Sequence, residues 1–377
     1  MHHPDPPGPR APRKRSRERV RDDLTPPYGT TQVNGHAERL AAHTAVSTHL
    51  SHLTDQRLGR AVAAAAPLGS GIGGRSAELD VEGRRVFVKR IPLTGIEWEN
   101  AYATANLFGL PMFYHYGVGS TGFGAWRELA VHTMTTGWVL ENAYTGFPLM
   151  HHWRVLPDSP PAGFADEFGG VDGAVAYWDG SPAVRERLEA IGRSSSSLVL
   201  FLEHLPCTLA AWLEGREHAA PRVDEALARG TTFMTSRGLV HFDVHFDNVL
   251  TDGRLLYFAD FGLALSSAFD LSAAERGFHS DHLTYDRRLT ASQLLRRLLA
   301  GAEPQAFLRA WIAGVRPAGI RPEIAAIIDR HALPTLGLDD FHRRLLTESR
   351  RTPFPAAAIE AETEISPQGR ASDTPPG

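Results

Sequence analysis

The chain is poor in cysteine: its 377 residues include one, Cys207. That excludes internal disulfides and fits a reducing compartment. It also lacks any apolar run approaching the ~20 residues that a membrane helix needs. No sign of charge dominates. The 39 Lys and Arg against 43 Asp and Glu leave a formal net charge of −4, so no global field favours nucleic acid or an anionic membrane. The basic run near the start leads into polar residues and prolines, unlike a secretory signal. Internal repeats are absent. A soluble, cytoplasmic protein with no membrane partner is the expectation. At this length, and with 42% hydrophobic residues, the chain can build two modest lobes or domains, each with a core.

Composition divides the chain. Residues 1–58 are Pro-rich, then basic (Arg10, Arg13, Lys14, Arg15, Arg17, Arg19, Arg21), then polar. Such a stretch buries too little apolar surface to offset its ordering entropy and reads as a disordered tail. The alternative is an arm for nucleic acid or an acidic partner. The stretch 36–53 has some helical periodicity and could fold back. Residues 352–377, rich in Pro, Ala and Glu, read as a second tail.

Between the tails, 59–205 is strand-rich and 206–351 helix-rich, which predicts an α+β protein. Leu79–Val81 and Arg85–Arg90 flank the turn Glu82-Gly83 as a hairpin. Trp126–Glu141 carries helical spacing, Phe147–Leu156 reads as a strand, and 157–196 is a polar insert with one helix at 182–192. Leu198–Leu205 is a compact apolar strand. Val223–Arg237 reads as an amphipathic helix stopped by Gly238. A second hairpin turns at Asp252-Gly253, and 290–348 reads as helical throughout.

The chemistry concentrates in His241-Phe-Asp-Val-His-Phe-Asp-Asn248, followed twelve residues after its Asn by Asp260-Phe261-Gly262. Phosphoryl transfer from Mg-ATP needs such groups: an Asp to orient the attacking hydroxyl, and an Asn and a second Asp to hold magnesium against the phosphates. Upstream, Gly69-Ser70-Gly71-Ile-Gly-Gly74 has the spacing of a flap over phosphates, where backbone lacking side chains approaches the anions. Val86-Phe87-Val88-Lys89 places a lysine among β-formers, with Val86 and Val88 on one face and Phe87 and Lys89 on the other. A lysine facing a core needs a carboxylate partner. Glu128 has the expected position on the following helix. Glu97 and Glu99 are the alternatives.

Taken in order, these motifs resemble the protein-kinase-like superfamily over Gly69 to Asp260. The resemblance implies a bilobal fold, with a small antiparallel β-rich lobe and a mainly helical one. It implies Asp243 as catalytic base, Asn248 and Asp260 as magnesium ligands, and Lys89, paired with Glu128, as the grip on the α- and β-phosphates. Gly69, Ser70, Gly71 and Gly74 would cover ATP, and Phe201–Leu205, with Glu203 and Leu205, would bond adenine through the backbone. Gly262 would let the chain turn sharply after Asp260. His241 reads as a structural histidine and Cys207 as a packed residue.

Three departures bear on the acceptor. His245 stands where protein kinases acting on Ser or Thr usually carry Lys, and where small-molecule kinases of the aminoglycoside and choline type often carry His. Phe242 replaces the Arg that receives an activation-loop phosphate. No Ala-Pro-Glu follows Asp260. A serine/threonine protein kinase is the first expectation. A small-molecule kinase and a partner-binding pseudokinase are the alternatives.

Overall fold

The computed structural model describes residues 30–71, 74–117, 119–299 and 303–356. The basic run and the expected second tail beyond 356 lie outside them. Two helices come first, α1 (Thr30–Ser51) and α2 (Asp55–Ala64). They occupy residues 30–58, where composition reads as a tail. The reason is local patterning that an average conceals. Val46 and Leu50, spaced i and i+4 on α1, and Leu58 and Val62, spaced likewise on α2, are buried against Val86, Val88 and Phe201. Burying each such side chain stabilises by about 1.5–3 kcal/mol, which offsets the cost of ordering the segment.

A five-stranded antiparallel sheet follows. Its strands are β1 (Ala66–Gly71), β2 (Gly74–Val81), β3 (Arg84–Leu93), β4 (Met150–Pro157) and β5 (Ser196–Glu203), in the order β1-β2-β3-β5-β4. The β2–β3 hairpin turns on Glu82 (φ 54°) and Gly83 (φ 77°), the paired positive values of a tight type I′ turn. The pleat of β3 sends Val86 and Val88 into the α1/α2 core, and Phe87 lies against a second core containing Trp126 and Leu129.

The two inserts pack together. Between β3 and β4 lie α3 (Gly95–Glu99), a long loop and α4 (Ala125–Leu140). Between β4 and β5 lie α5 (Val171–Tyr177) and α6 (Pro182–Gly192), so the insert holds two helices where one was expected. Phe113, Tyr114 and Phe123 of the first insert share a core with Trp178 and Leu188 of the second.

The second half is mainly helical. It runs β6 (Cys207–Thr208), α7 (Leu209–Trp212), α8 (Ala220–Ser236), β7 (Leu239–Val240), β8 (Val249–Thr251), β9 (Leu256–Phe258), β10 (Leu265–Ser266), α9 (Ala273–Asp281), α10 (Tyr285–Leu298), α11 (Pro304–Ile312) and α12 (Pro322–Thr347). Among the described residues, 290–348 holds three helices rather than one continuous stretch: Gly314, Pro317 and Gly319 separate α11 from α12, and Pro304 and Pro322 open those two helices. Helices α8, α10 and α12 pack on one another. Beyond them, Thr352 and Phe354 are buried, with Phe354 stacked 4.7 Å from His282, so the first residues of the expected tail, 352–356, belong to the folded part. Among the described residues no helix is long and apolar enough to cross a membrane.

Candidate active site

The site begins with the loop from β7 to β8. Asp286, in the first turn of α10, anchors it: Oδ2 accepts from His241 N at 2.7 Å and Oδ1 from Phe242 N at 2.9 Å. These bonds hold Phe242 at φ 65°, a left-handed conformation that costs a bulky residue roughly 1–3 kcal/mol. The Phe242 ring is buried and stacks 5.4 Å from Phe278. His241 donates from Nε2 to Ala259 O at 3.0 Å and accepts at Nδ1 from Asp243 N at 3.3 Å. Burial holds its pKa down at about 4, so the ring is neutral and serves as a strut.

That scaffold presents Asp243 and Asn248. Asn248 Nδ2 donates to Asp243 Oδ2 at 2.9 Å and to Asp243 O at 3.0 Å. Its amide nitrogen is thereby assigned, and Oδ1 is left as a neutral oxygen donor. Burial raises the Asp243 carboxyl above its ordinary value, the nearby Asp260 charge adds to this, and His245 opposes it. His245 Nε2 lies 3.7 Å from Asp243 Oδ1.

Asn248 leads to Asp260 through the backbone, since Ala259 N donates to Asn248 O at 2.9 Å. Asp260 sits at φ 67°, so the sharp turn is made there. Gly262 was expected to make it. Gly262 is not left-handed, and a Cβ added to it would meet Glu128 Oε2 at an ordinary 3.4 Å. Phe261 is buried between His132 and His241, at 5.0 and 4.9 Å.

Lys89 of β3 closes the set. Its Nζ lies 2.6 Å from Glu128 Oε1 and 2.7 Å from Asp260 Oδ1. Burial works against its charge, but the two carboxylates win and drive its pKa above the ordinary lysine value. Asp260 answers in kind: desolvation opposes its charge, Lys89 outweighs that, and the carboxyl is held at about 2. Burial raises Glu128, with Lys89 pulling the other way. Of the three candidate partners, Glu128 is the one on Lys89. Glu97 is buried elsewhere, accepting from Thr94 N at 2.9 Å and Ala125 N at 2.8 Å and facing Arg187 Nη1 at 2.8 Å. Glu99 is exposed.

The flap is a hairpin. Gly69, Ser70 and Gly71 end β1, Gly74 opens β2, and Gly71 pairs with Gly74. Gly74 has φ 133°, and a Cβ there would meet Arg90 O at 2.3 Å, so only glycine fits. Ile72 and Gly73 lie outside the described residues. At the end of β5, the Leu205 N–H has no intramolecular acceptor among the described residues. The Glu203 side chain is occupied: Arg39 Nε donates to Oε1 at 2.7 Å and Leu149 N to Oε2 at 3.0 Å. Cys207 Sγ donates to Thr251 O at 3.3 Å, and burial raises its pKa, as befits a packed thiol.

The donor set suits magnesium. A carboxylate held ionised and a neutral amide oxygen are hard ligands, and magnesium takes few protein ligands when phosphates supply the rest. Two contributors escaped the motifs. Asp286 acts on backbone amides 45 and 44 residues away, and Arg39 reaches Glu203 across 164 positions. An aspartate at a helix start and an arginine in a polar stretch carry no local signal of such partners. No protein-family model and no curated protein matches the chain.

Proposed function

We propose that the chain is an ATP-dependent phosphotransferase of protein-kinase-like fold. In this reading the five-stranded sheet belongs to the smaller lobe and α8–α12 to the larger. The observation that carries it is one unbroken set of contacts: Glu128 to Lys89, Lys89 to Asp260, Asp260 through Ala259 to Asn248, and Asn248 to Asp243. These residue types in this order match what transfer of a γ-phosphoryl group requires. Bound Mg-ATP supplies the transferable group with part of its charge neutralised. Lys89 holds the α- and β-phosphates. Asp260 and Asn248 hold the metal. Asp243 orients the acceptor hydroxyl and takes its proton late, a role suited to a carboxylate kept less acidic than usual by burial. The glycine hairpin excludes water above the phosphates, and the Leu205 N–H is open to adenine.

On the acceptor the sequence clues disagree: Phe261-Gly262 after Asp260 points to a protein, for which serine or threonine is the first expectation, and His245 points to a small molecule. One observation favours a small hydroxyl compound. The segment after Asp260, where a peptide would dock in a protein kinase, is covered by the first insert: His115 Nδ1 bonds Leu263 O at 2.8 Å, and Tyr116 OH bonds His282 Nε2 at 2.5 Å. The test is incubation with magnesium and labelled ATP, alone, with a generic protein, and with a panel of sugars and amino alcohols. Label on protein supports the first acceptor, and turnover only with small alcohols supports the second. Nucleotide binding without transfer to anything would defeat the proposal and favour a pseudokinase.

A further inference from the structure

Arg127 precedes Glu128 on α4 and points elsewhere. Its Nη2 donates to Glu275 Oε1 at 2.5 Å, and both side chains are only 2% exposed. Its Nε donates to Thr104 O at 2.6 Å. The guanidinium lies over the rings of Phe123 and Phe269, at 5.3 and 5.4 Å. Glu275 is fixed from its own side, since its Oε2 accepts from Ser272 N at 2.9 Å in the capping box that opens α9. Burial opposes the Glu275 charge, but the hydrogen bond and charge of Arg127, together with the hydrogen bonds from Ser272, outweigh it and keep the carboxyl below its ordinary value.

Consecutive helical residues diverge by about 100°. With Arg127 clamped to α9, α4 has one rotation about its axis, and that rotation turns Glu128 toward Lys89. The clamp joins α4 to the segment following Asp260-Phe261-Gly262, and its charge is permanent. It also answers what Phe242 leaves out, an arginine able to receive a phosphate. We infer that the buried Arg127–Glu275 pair is a constitutive brace, which sets α4 so that Glu128 meets Lys89 without any phosphorylated side chain in 263–286. Both are positioning residues, and the catalytic part of this inference rests on the phosphotransferase reading.

Glu275→Gln keeps the shape and removes the charge. The brace predicts that kcat falls about tenfold or more while KM for Mg-ATP moves by no more than about threefold. It also predicts that the same change costs almost nothing further in a Glu128→Gln background, because both act through one ion pair. Additive losses would overturn the inference, as would a loss of rate when the wild-type chain is treated with a phosphatase. If Glu275→Gln does not fold, Glu275→Asp enters the same cycle. Amide hydrogen exchange over 125–140 serves whether or not transfer is detected. Faster exchange in the variant supports the brace, and unchanged exchange defeats it. A wild type that transfers nothing defeats the functional reading instead, and the exchange result still decides whether Glu275 holds α4.

Discussion

Lys89 Nζ lies 2.7 Å from Asp260 Oδ1, although the two residues stand 171 positions apart in the chain. This bond joins the sheet to the helical half at the point where phosphates would lie. Asp260 keeps 46% of its side chain exposed, so it is paired on one side and open on the other. In the proposed reading, Lys89 would serve phosphate oxygens and Asp260 would hold the metal.

Asp243 is the group assigned to the acceptor. Its replacement by asparagine should lower the rate by about 10²–10⁴ while leaving Mg-ATP affinity nearly unchanged, as expected for loss of a general base. Single-turnover transfer and nucleotide titration on the same two proteins check this. A variant that transfers at the wild-type rate would remove Asp243 from the mechanism.

Glu128 and Glu97 should separate cleanly. Glu128→Gln should cut turnover about tenfold or more through misplaced phosphates, with a modest effect on the midpoint of unfolding. Glu97→Gln should do the reverse. It strips the charge facing Arg187, which is 1% exposed, and breaking such a buried pair costs about 3–5 kcal/mol. Urea unfolding alongside steady-state kinetics distinguishes them. If only the Glu97 change harms turnover, Glu128 is not the functional partner of Lys89.

Asp286 gives a pH dependence of definite sign. Burial pushes its carboxyl up from 3.8 to about 7, while the amides of His241 and Phe242 pull the other way. Between those values the folded chain holds a proton that the unfolded chain has released. Its contribution to stability is therefore full below pH 4 and is lost as pH rises through 7. Each pH unit crossed is worth at most about 1.4 kcal/mol. Buried histidines such as His132, lowered to about 3 by burial, change stability in the opposite sense, so the readout is the difference between wild type and Asp286→Asn. Unfolding free energies at pH 5 and pH 8 should show wild type losing ground to the variant at the higher pH. A constant difference would contradict the assignment.

Much of the arrangement was written locally. The Glu82-Gly83 turn, the alternation around Lys89 and the stop at Gly238 are short-range patterns, and α6 follows from its Ser181 cap and Pro182. Glu128 was legible from the order of elements alone. What stayed hidden depends on contacts between distant segments. Arg39 lies in a stretch whose composition reads as a tail, and its value comes from Glu203, Thr145 O and Phe147 O, all more than 100 positions along the chain. Asp286 looks like any acidic residue in a first helical turn until the loop it holds is seen. Helix α5 escaped because Gly169 and Gly170 precede it and Gly173 lies within it, leaving a seven-residue helix stabilised by packing rather than propensity. The left-handed turn at Asp260 was assigned to Gly262 because glycine is the residue that ordinarily supplies it.

The most direct test of the account is calorimetric titration of ATP into the purified chain, with and without magnesium, for wild type and Asp260→Asn. The account predicts that magnesium tightens binding to wild type about tenfold or more, and that this gain disappears in the variant, which has lost its charged metal ligand. Binding that ignores magnesium in wild type, or a gain that survives in Asp260→Asn, would contradict it.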